Sequence, residues 1–208
     1  MTDEFKLIIE DLDQTVFESR IEQTEKDLYI VGCCAQASVI NNNLRMYPRK
    51  VLHEAMEEYR NKYVVTNKAL GELNHPARPY ADPKMASHRI VDMFMEGDKV
   101  MAKALVLNTS NGKELKALIE GGWQVQASTR GMGIPKKVKG LNESKDYSEI
   151  VKYKMTVGFD VVQDQSAPDA IMSGIYECQN GLYVPTEAAK NVDWDKVFSK
   201  LVKQYSAR

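Results

Sequence analysis

Apolar residues crowd the stretch from Leu28 to Ile40, broken by a single glycine at Gly32. That pattern predicts one long strand, bent or bulged at the glycine. Residues 1–26 are mostly polar, with a short apolar stretch at Leu7-Ile8-Ile9, and read as an arm or peripheral segment. Asn41-Asn42-Asn43 is a turn signal. After Pro48, residues Val51, Leu52, Ala55, Met56, Tyr59 and Tyr63 recur at the 3.6-residue spacing of a helix. Leu70 to Leu73 predicts a short strand leading into His75-Pro76. Residues 86–96 and 99–107 predict two strands joined at Glu96-Gly97-Asp98. Ser110-Asn111-Gly112 offers a cap for a short helix that carries Leu115, Leu118 and Ile119 and stops at Gly121-Gly122. Two more strands are expected at 123–130 and 149–163, with a polar, Lys-rich loop from Pro135 to Tyr147 between them. From about Asp193 a stripe of Trp194, Val197, Phe198, Leu201, Val202 and Tyr205 predicts a C-terminal amphipathic helix. This irregular succession of strands and helices is an α+β pattern. The strict strand–helix alternation of a doubly wound sheet is absent.

The chain has 208 residues, enough for one sizeable domain with tails. Lys plus Arg number 28 and Asp plus Glu 29, so the net charge is −1 and no basic nucleic-acid footprint is indicated. No apolar run approaches the roughly 18 residues of a membrane helix. The start, Met1-Thr-Asp-Glu, is acidic and does not read as a signal peptide. Cys33, Cys34 and Cys178 make a poor disulfide set and point to a reducing compartment. With no CxxC pair and only His53, His75 and His88, neither a zinc site nor another cofactor is expected.

Several motifs compete for the chemistry. Asp11-Leu-Asp13-Gln-Thr15 resembles the DxDxT box of haloacid-dehalogenase-type phosphatases. The later acidic partner and the βα alternation of that fold are missing. His53-Glu54-Ala-Met-Glu57 is half of a zincin helix, its second histidine replaced by Glu57, and reads as a solvated helix face. His75 is more informative. It precedes Pro76, which biases it to extended backbone at a strand end. In Gln124-Val-Gln-Ala-Ser128-Thr-Arg130-Gly131 the alternation puts Gln124, Gln126, Ser128 and Arg130 on one polar face. Asp160 is a lone carboxylate between Phe159 and Val161, costly to bury unless a cation or hydrogen-bond donor pairs with it. Together these three supply a nucleophile, a base and an orienting acid. The chain order His, Ser, Asp is not that of the chymotrypsin, subtilisin or α/β-hydrolase groups, and a GxSxG elbow is absent.

Four segments in this order carry a resemblance: Val39-Ile-Asn-Asn-Asn-Leu-Arg45-Met-Tyr47-Pro48; Ala69-Leu-Gly-Glu-Leu-Asn-His75-Pro76; Ser128-Thr-Arg130-Gly131-Met-Gly133; and Thr156-Val-Gly-Phe-Asp160 followed by Ser166-Ala-Pro-Asp169-Ala. Across residues 28–172 the chain resembles the tailed-phage prohead proteases of the T-even type, capsid maturation enzymes related to herpesvirus assemblin. The resemblance implies an assemblin-like β-barrel with surrounding helices, organised as an N-terminal arm (1–27), a protease domain (28–172) and a C-terminal tail with the amphipathic helix (173–208). It implies a serine endopeptidase with His75, Ser128 and Asp160 at the triad positions. Assemblins carry a second histidine as third member and phage relatives an acid, which fits Asp160. Backbone N–H groups near Arg130 and Gly131, or in the 163–167 loop, are candidates for the oxyanion hole and substrate contacts. The substrates implied are scaffold, major capsid and other head proteins, and the chain itself, inside the prohead in the host cytoplasm. A homo-oligomer is compatible with this; nucleic-acid or membrane partners are not expected. Family members cut after Glu with an apolar residue two positions earlier. That makes Ile175-Tyr176-Glu177 the first candidate for self-cleavage, with Glu10 and Glu18 as rivals. The competing reading is a non-catalytic scaffold or core component of the head that retains the fold.

Overall fold

A computed structural model describes residues 6–11, 27–140, 145–163, 172–177 and 183–185. Along the chain its elements are β1 (Lys6–Asp11), β2 (Asp27–Gln36), β3 (Arg45–Met46), α1 (Arg49–Tyr59), β4 (Leu70–Glu72), β5 (Ala86–Glu96) and β6 (Lys99–Val106). Then come α2 (Ser110–Glu120), β7 (Gln126–Val138), β8 (Tyr147–Val162), β9 (Met172–Glu177) and β10 (Tyr183–Pro185). The strands form a four-stranded sheet, β1-β7-β8-β3, and a six-stranded sheet, β10-β9-β2-β6-β5-β4. This is a mixed fold of sheets and helices, as the irregular element order predicts. Among the described residues the strand pairing forms these two separate ladders.

Local chemistry explains most of the elements. The β5–β6 hairpin turns at Gly97, whose φ of 61° suits a residue without Cβ. Helix α2 is capped one residue earlier than expected. Thr109 Oγ1 accepts from the Gly112 N–H at 3.1 Å and donates to the Ala86 carbonyl at 2.6 Å, so one hydroxyl fixes both the helix start and its seat on β5. Helix α1 buries Leu52, Ala55, Met56 and Tyr59 and runs on into a wider turn, Arg60–Val64. Leu52 and Met56 each contribute roughly 1.5–3 kcal/mol by leaving water. Burial pushes the Tyr59 hydroxyl well above the usual phenol range. His53 lies on the exposed side of α1, as a solvated helix face requires.

Three expectations shift. The irregularity in β2 falls between Cys33 and Ala35 rather than at Gly32, so Gly32 stays in register with Ala102. Cys33 and Cys34 are buried free thiols there, and burial pushes the Cys33 thiol up to about 11. The Lys-rich stretch after Pro135 is not loop throughout. β7 and β8 run on as a ladder to Val138 opposite Tyr147, with Lys136 facing Glu149 as an opposite-charge cross-strand pair. Finally, β9 runs across the expected boundary between residues 172 and 173 and pairs with β2, so the six-stranded sheet extends into the segment read as a tail. The C-terminal helix expected from Asp193 lies outside the described residues, as do Asp13, Glu18, Asp164 and Asp169.

Candidate active site

The site is built where β4, β7 and β8 meet. Ser128 on β7 and Asp160 on β8 are direct cross-strand partners, so their side chains share one face of the sheet. His75 reaches that face from the end of β4. Leu73 bridges to Val161 in parallel, and the Asn74 N–H donates to the Val161 carbonyl at 2.8 Å. Asn74 then adopts φ of 63°, a left-handed turn that Asn tolerates better than most residues. The turn delivers His75 directly over the residue preceding Val161, which is Asp160.

The resulting contacts are a serine–imidazole–carboxylate line. His75 Nδ1 lies 2.9 Å from Asp160 Oδ2, and His75 Nε2 makes a short contact with Ser128 Oγ. An ionised carboxylate only accepts, so Nδ1 carries the ring proton. Nε2 is then the acceptor, and the Ser128 hydroxyl donates to it. Ser128 and Asp160 are fully buried, while the His75 side chain is 11% exposed.

Asp160 is held from behind by Arg130. Arg130 Nη2 donates to Asp160 Oδ1 at 3.0 Å, and its Nε lies 2.5 Å from Oδ2. The Glu72 N–H donates to Oδ1 at 2.9 Å. Arg130 is itself fully buried and stands 3.5 Å from Glu72, whose carboxylate accepts from Arg78 Nη2 at 2.6 Å and from the Asp82 N–H. Arg130 Nη1 also donates to the carbonyls of Arg78 (2.9 Å) and Tyr80 (3.1 Å). Two carboxylates and two guanidiniums thus balance one another; Asp160, Glu72 and Arg130 are buried, where an unpaired charge costs several kcal/mol, and Arg78 closes the group at its partly exposed end. The same bonds pin the segment following His75 to β4 and β7. The histidine is therefore fixed at both ends of its loop.

A second histidine lies beneath. His88 on β5 is fully buried, stacked on Phe159 with ring centroids 4.6 Å apart. Its Nε2 lies 3.3 Å from the Phe159 carbonyl and its Nδ1 2.9 Å from Ser87 Oγ. The carbonyl can only accept, so Nε2 bears the ring proton and Nδ1 accepts a hydrogen bond from the Ser87 hydroxyl. Burial pushes its pKa down to about 4 against the pull of Asp160, so this ring is neutral at pH 7. Gly71 is the reason the layers close so tightly: a Cβ there would run into His88 Nε2 and the Phe159 carbonyl.

The structure brings together His75, Ser128 and Asp160, the three residues singled out in the sequence. The Arg130 guanidinium is taken up by Asp160 and by the carbonyls of Arg78 and Tyr80. Gly131 lies against Tyr153, whose ring would meet any Cβ added there. Sequence reading missed Glu72, Arg78 and His88. For Arg130 a signal existed: a buried carboxylate on one strand calls for a cation, and Arg130 lies two residues beyond Ser128 on the strand opposite Asp160. Glu177 ends β9, paired across from Asp27 and Tyr183, rather than lying in a free segment. Glu10 lies in β1, opposite Thr129.

A hydroxyl, an imidazole and a carboxylate in line, with the carboxylate locked by a buried guanidinium, form a constellation able to activate an oxygen nucleophile, the chemistry of the serine hydrolase class. Comparison with known proteins narrows this. Residues 12–180 match the family described as prohead core protein serine protease, and the chain belongs to that family. It is 42% identical over 147 residues to the prohead core protein protease of Enterobacteria phage T4, a match spanning 69% of this chain and 66% of that relative. Among solved structures, the bacteriophage T4 capsid assembly protease, gp21, superposes with a TM-score of 0.68 at 34% identity, covering 77% of this chain and 99% of that one.

Proposed function

We propose that this chain is a serine endopeptidase of phage head maturation, acting inside the prohead in the host cytoplasm on scaffold, capsid and other head proteins, and on itself. The observation that carries the reading is the pair of bonds made by one ring: His75 Nε2 to Ser128 Oγ and Nδ1 to Asp160 Oδ2. In the first step Ser128 Oγ attacks the scissile carbonyl while its proton passes to Nε2. Asp160 keeps the ring in the Nδ1–H tautomer and stabilises the imidazolium that forms. The same proton then goes to the departing amine. Water, deprotonated by the neutral ring, hydrolyses the acyl-serine and restores the enzyme. Arg130 keeps the Asp160 carboxylate oriented throughout. Backbone N–H groups near Arg130 and Gly131 remain the candidates for holding the oxyanion.

The assemblin-like barrel belongs to the same reading. Two isolated bridges support it, Leu73 to Val161 and Val125 to Met172, because each joins a residue next to one sheet with a strand of the other. The test of the function is a time course of the purified chain with phage head proteins, followed by mass spectrometry. Fragments should accumulate with the unaltered chain and be absent with Ser128→Ala. Equal processing by both would remove Ser128 from the mechanism, and no processing by either under assembly conditions would favour the scaffold reading.

A further inference from the structure

The ladder of β7 and β8 has two faces. Val125, just before β7, and Ala127 belong to the main core, as do Phe159 and Val161 on β8. Around Ser128 the register is regular: Gln126 stands opposite Val162 and Ser128 opposite Asp160, and the first shift in β7 comes only after Ser128. Alternation therefore sends Gln126 and Ser128 out on the same face, beside Val162 and Asp160. Two residues along a strand span about 7 Å, so Gln126 is the nearest same-face neighbour of the nucleophile on its N-terminal side. Its carboxamide oxygen, Oε1, is shut off from water and has no hydrogen-bond partner among the described residues. Val162 across the ladder is 6% exposed and offers only hydrocarbon. His75 and Asp160 on the same face satisfy each other, and that oxygen takes no part. A buried acceptor left unmet is a standing cost to the fold, and an apolar residue here would avoid it. Ser128 beside it is also fully buried, so a polypeptide that reaches the hydroxyl must uncover the same face.

We propose that Gln126 is a substrate-contacting residue: its carboxamide pairs with the main-chain N–H and C=O of one residue of the polypeptide being cut, Oε1 accepting and Nε2 donating. This rests on Ser128 being the nucleophile. A primary amide carries an acceptor and two donors side by side. That is the complement of an extended residue, whose N–H and C=O point to the same side. Every residue except proline has both groups, so the contact is indifferent to the substrate's side chains. At about 3.4 Å per extended residue, the residue it holds lies about two positions from the cleaved bond. The contact fixes the direction and lateral placing of the chain, so that the scissile carbonyl meets Ser128 Oγ. The oxygen left unmet in the free enzyme is satisfied when substrate arrives.

The test compares the full chain with Gln126→Met, which keeps the length and volume of the side chain but has no amide. The substrate is a decapeptide spanning a bond that mass spectrometry maps in the head proteins. In a companion set, an ester oxygen replaces one main-chain N–H at a time within three residues of that bond. In Gln126→Met, kcat/KM for the decapeptide should fall about tenfold. One ester should cost the parent about tenfold and cost Gln126→Met nothing further. The variant should melt no lower than the parent, because an unmet acceptor has been exchanged for an apolar group of similar shape. Equal kcat/KM in both proteins, or esters that cost both alike, overturns the proposal. A lowered melting temperature would make the carboxamide structural and also overturns it. The ester set is then read as binding, on Ser128→Ala chains with and without Gln126→Met, to separate the contact from the reading beneath it. If the ester effect appears in binding but a fluorophosphonate leaves Ser128 unlabelled in the parent, the contact stands and the assignment of Ser128 falls. If Ser128 is labelled but no ester distinguishes the two chains, or neither binds peptide, Ser128 stands and Gln126 falls.

Discussion

Replacing Arg130 with Met removes the one side chain that holds the acid of the site from behind. The guanidinium and both of its carboxylate partners are buried, with Arg130 and Asp160 fully so and Glu72 2% exposed. Methionine fills similar volume but leaves Asp160 and Glu72 with a single remaining guanidinium, that of Arg78, which reaches Glu72 alone. Breaking a buried ion pair by deleting one partner costs about 3–5 kcal/mol. The carbonyls of Arg78 and Tyr80 also lose their donor. For a chain of this size each kcal/mol lowers the melting temperature by roughly 2–4 °C, so a drop on the order of 10 °C is expected. The assay is thermal unfolding at pH 7.5 on a Ser128→Ala background, which keeps self-cleavage out of the measurement. Arg130→Lys should recover only part of the loss, because one ammonium cannot reach Asp160 and the carbonyls of Arg78 and Tyr80 with the separate nitrogens a guanidinium offers. A melting temperature within about 2 °C of the parent would refute the reasoning.

Two further outcomes are expected. His88 is neutral in the fold with a pKa of about 4 against a reference value of 6.5. Between those values the unfolded chain binds a proton that the folded chain refuses, so its contribution is intact above about pH 6.5 and is lost as the pH falls towards 4. At about 1.4 kcal/mol per unit this amounts to roughly 3 kcal/mol. Urea unfolding at stepped pH should show this acid loss, and His88→Gln should flatten it; identical pH slopes in both proteins would clear His88. Asp160→Asn should keep the fold and lower the cleavage rate by roughly three to four decades, since an amide can hold the ring in the wrong tautomer. Near-normal turnover in that variant would hand the role to Asp164 or Asp169.

The site was more legible than the fold around it. His75 before Pro76, Ser128 on an alternating strand and Asp160 inside an apolar one each break a local rule in a way chemistry can use, and such violations are visible in sequence. What could not be read was the layer behind them. Glu72 looks like any strand-end carboxylate until Arg130 is known to lie 3.5 Å away. His88 sits in a β-strand pattern that an apolar residue could equally fill; only the close approach of Gly71 and the stacking on Phe159 give it a reason. Among the elements, the hairpin at Gly97 and the face of α1 followed from turn chemistry and periodicity. The length of β7 did not, because Lys136 and Lys137 on an exposed ladder carry no hydrophobic signal. The pairing of β1 with β7 is a long-range contact that no local pattern announces.

The most direct measurement is the mass of the intact protein after exposure to a serine-directed fluorophosphonate, followed by peptide mapping of the adduct. A single adduct should form and map to Ser128. It should disappear in Ser128→Ala and fall sharply in His75→Ala, because the hydroxyl reacts only when Nε2 can take its proton. An adduct on Ser110, Ser144 or Ser166, or a processing-competent protein whose Ser128 stays unmodified, would contradict the account.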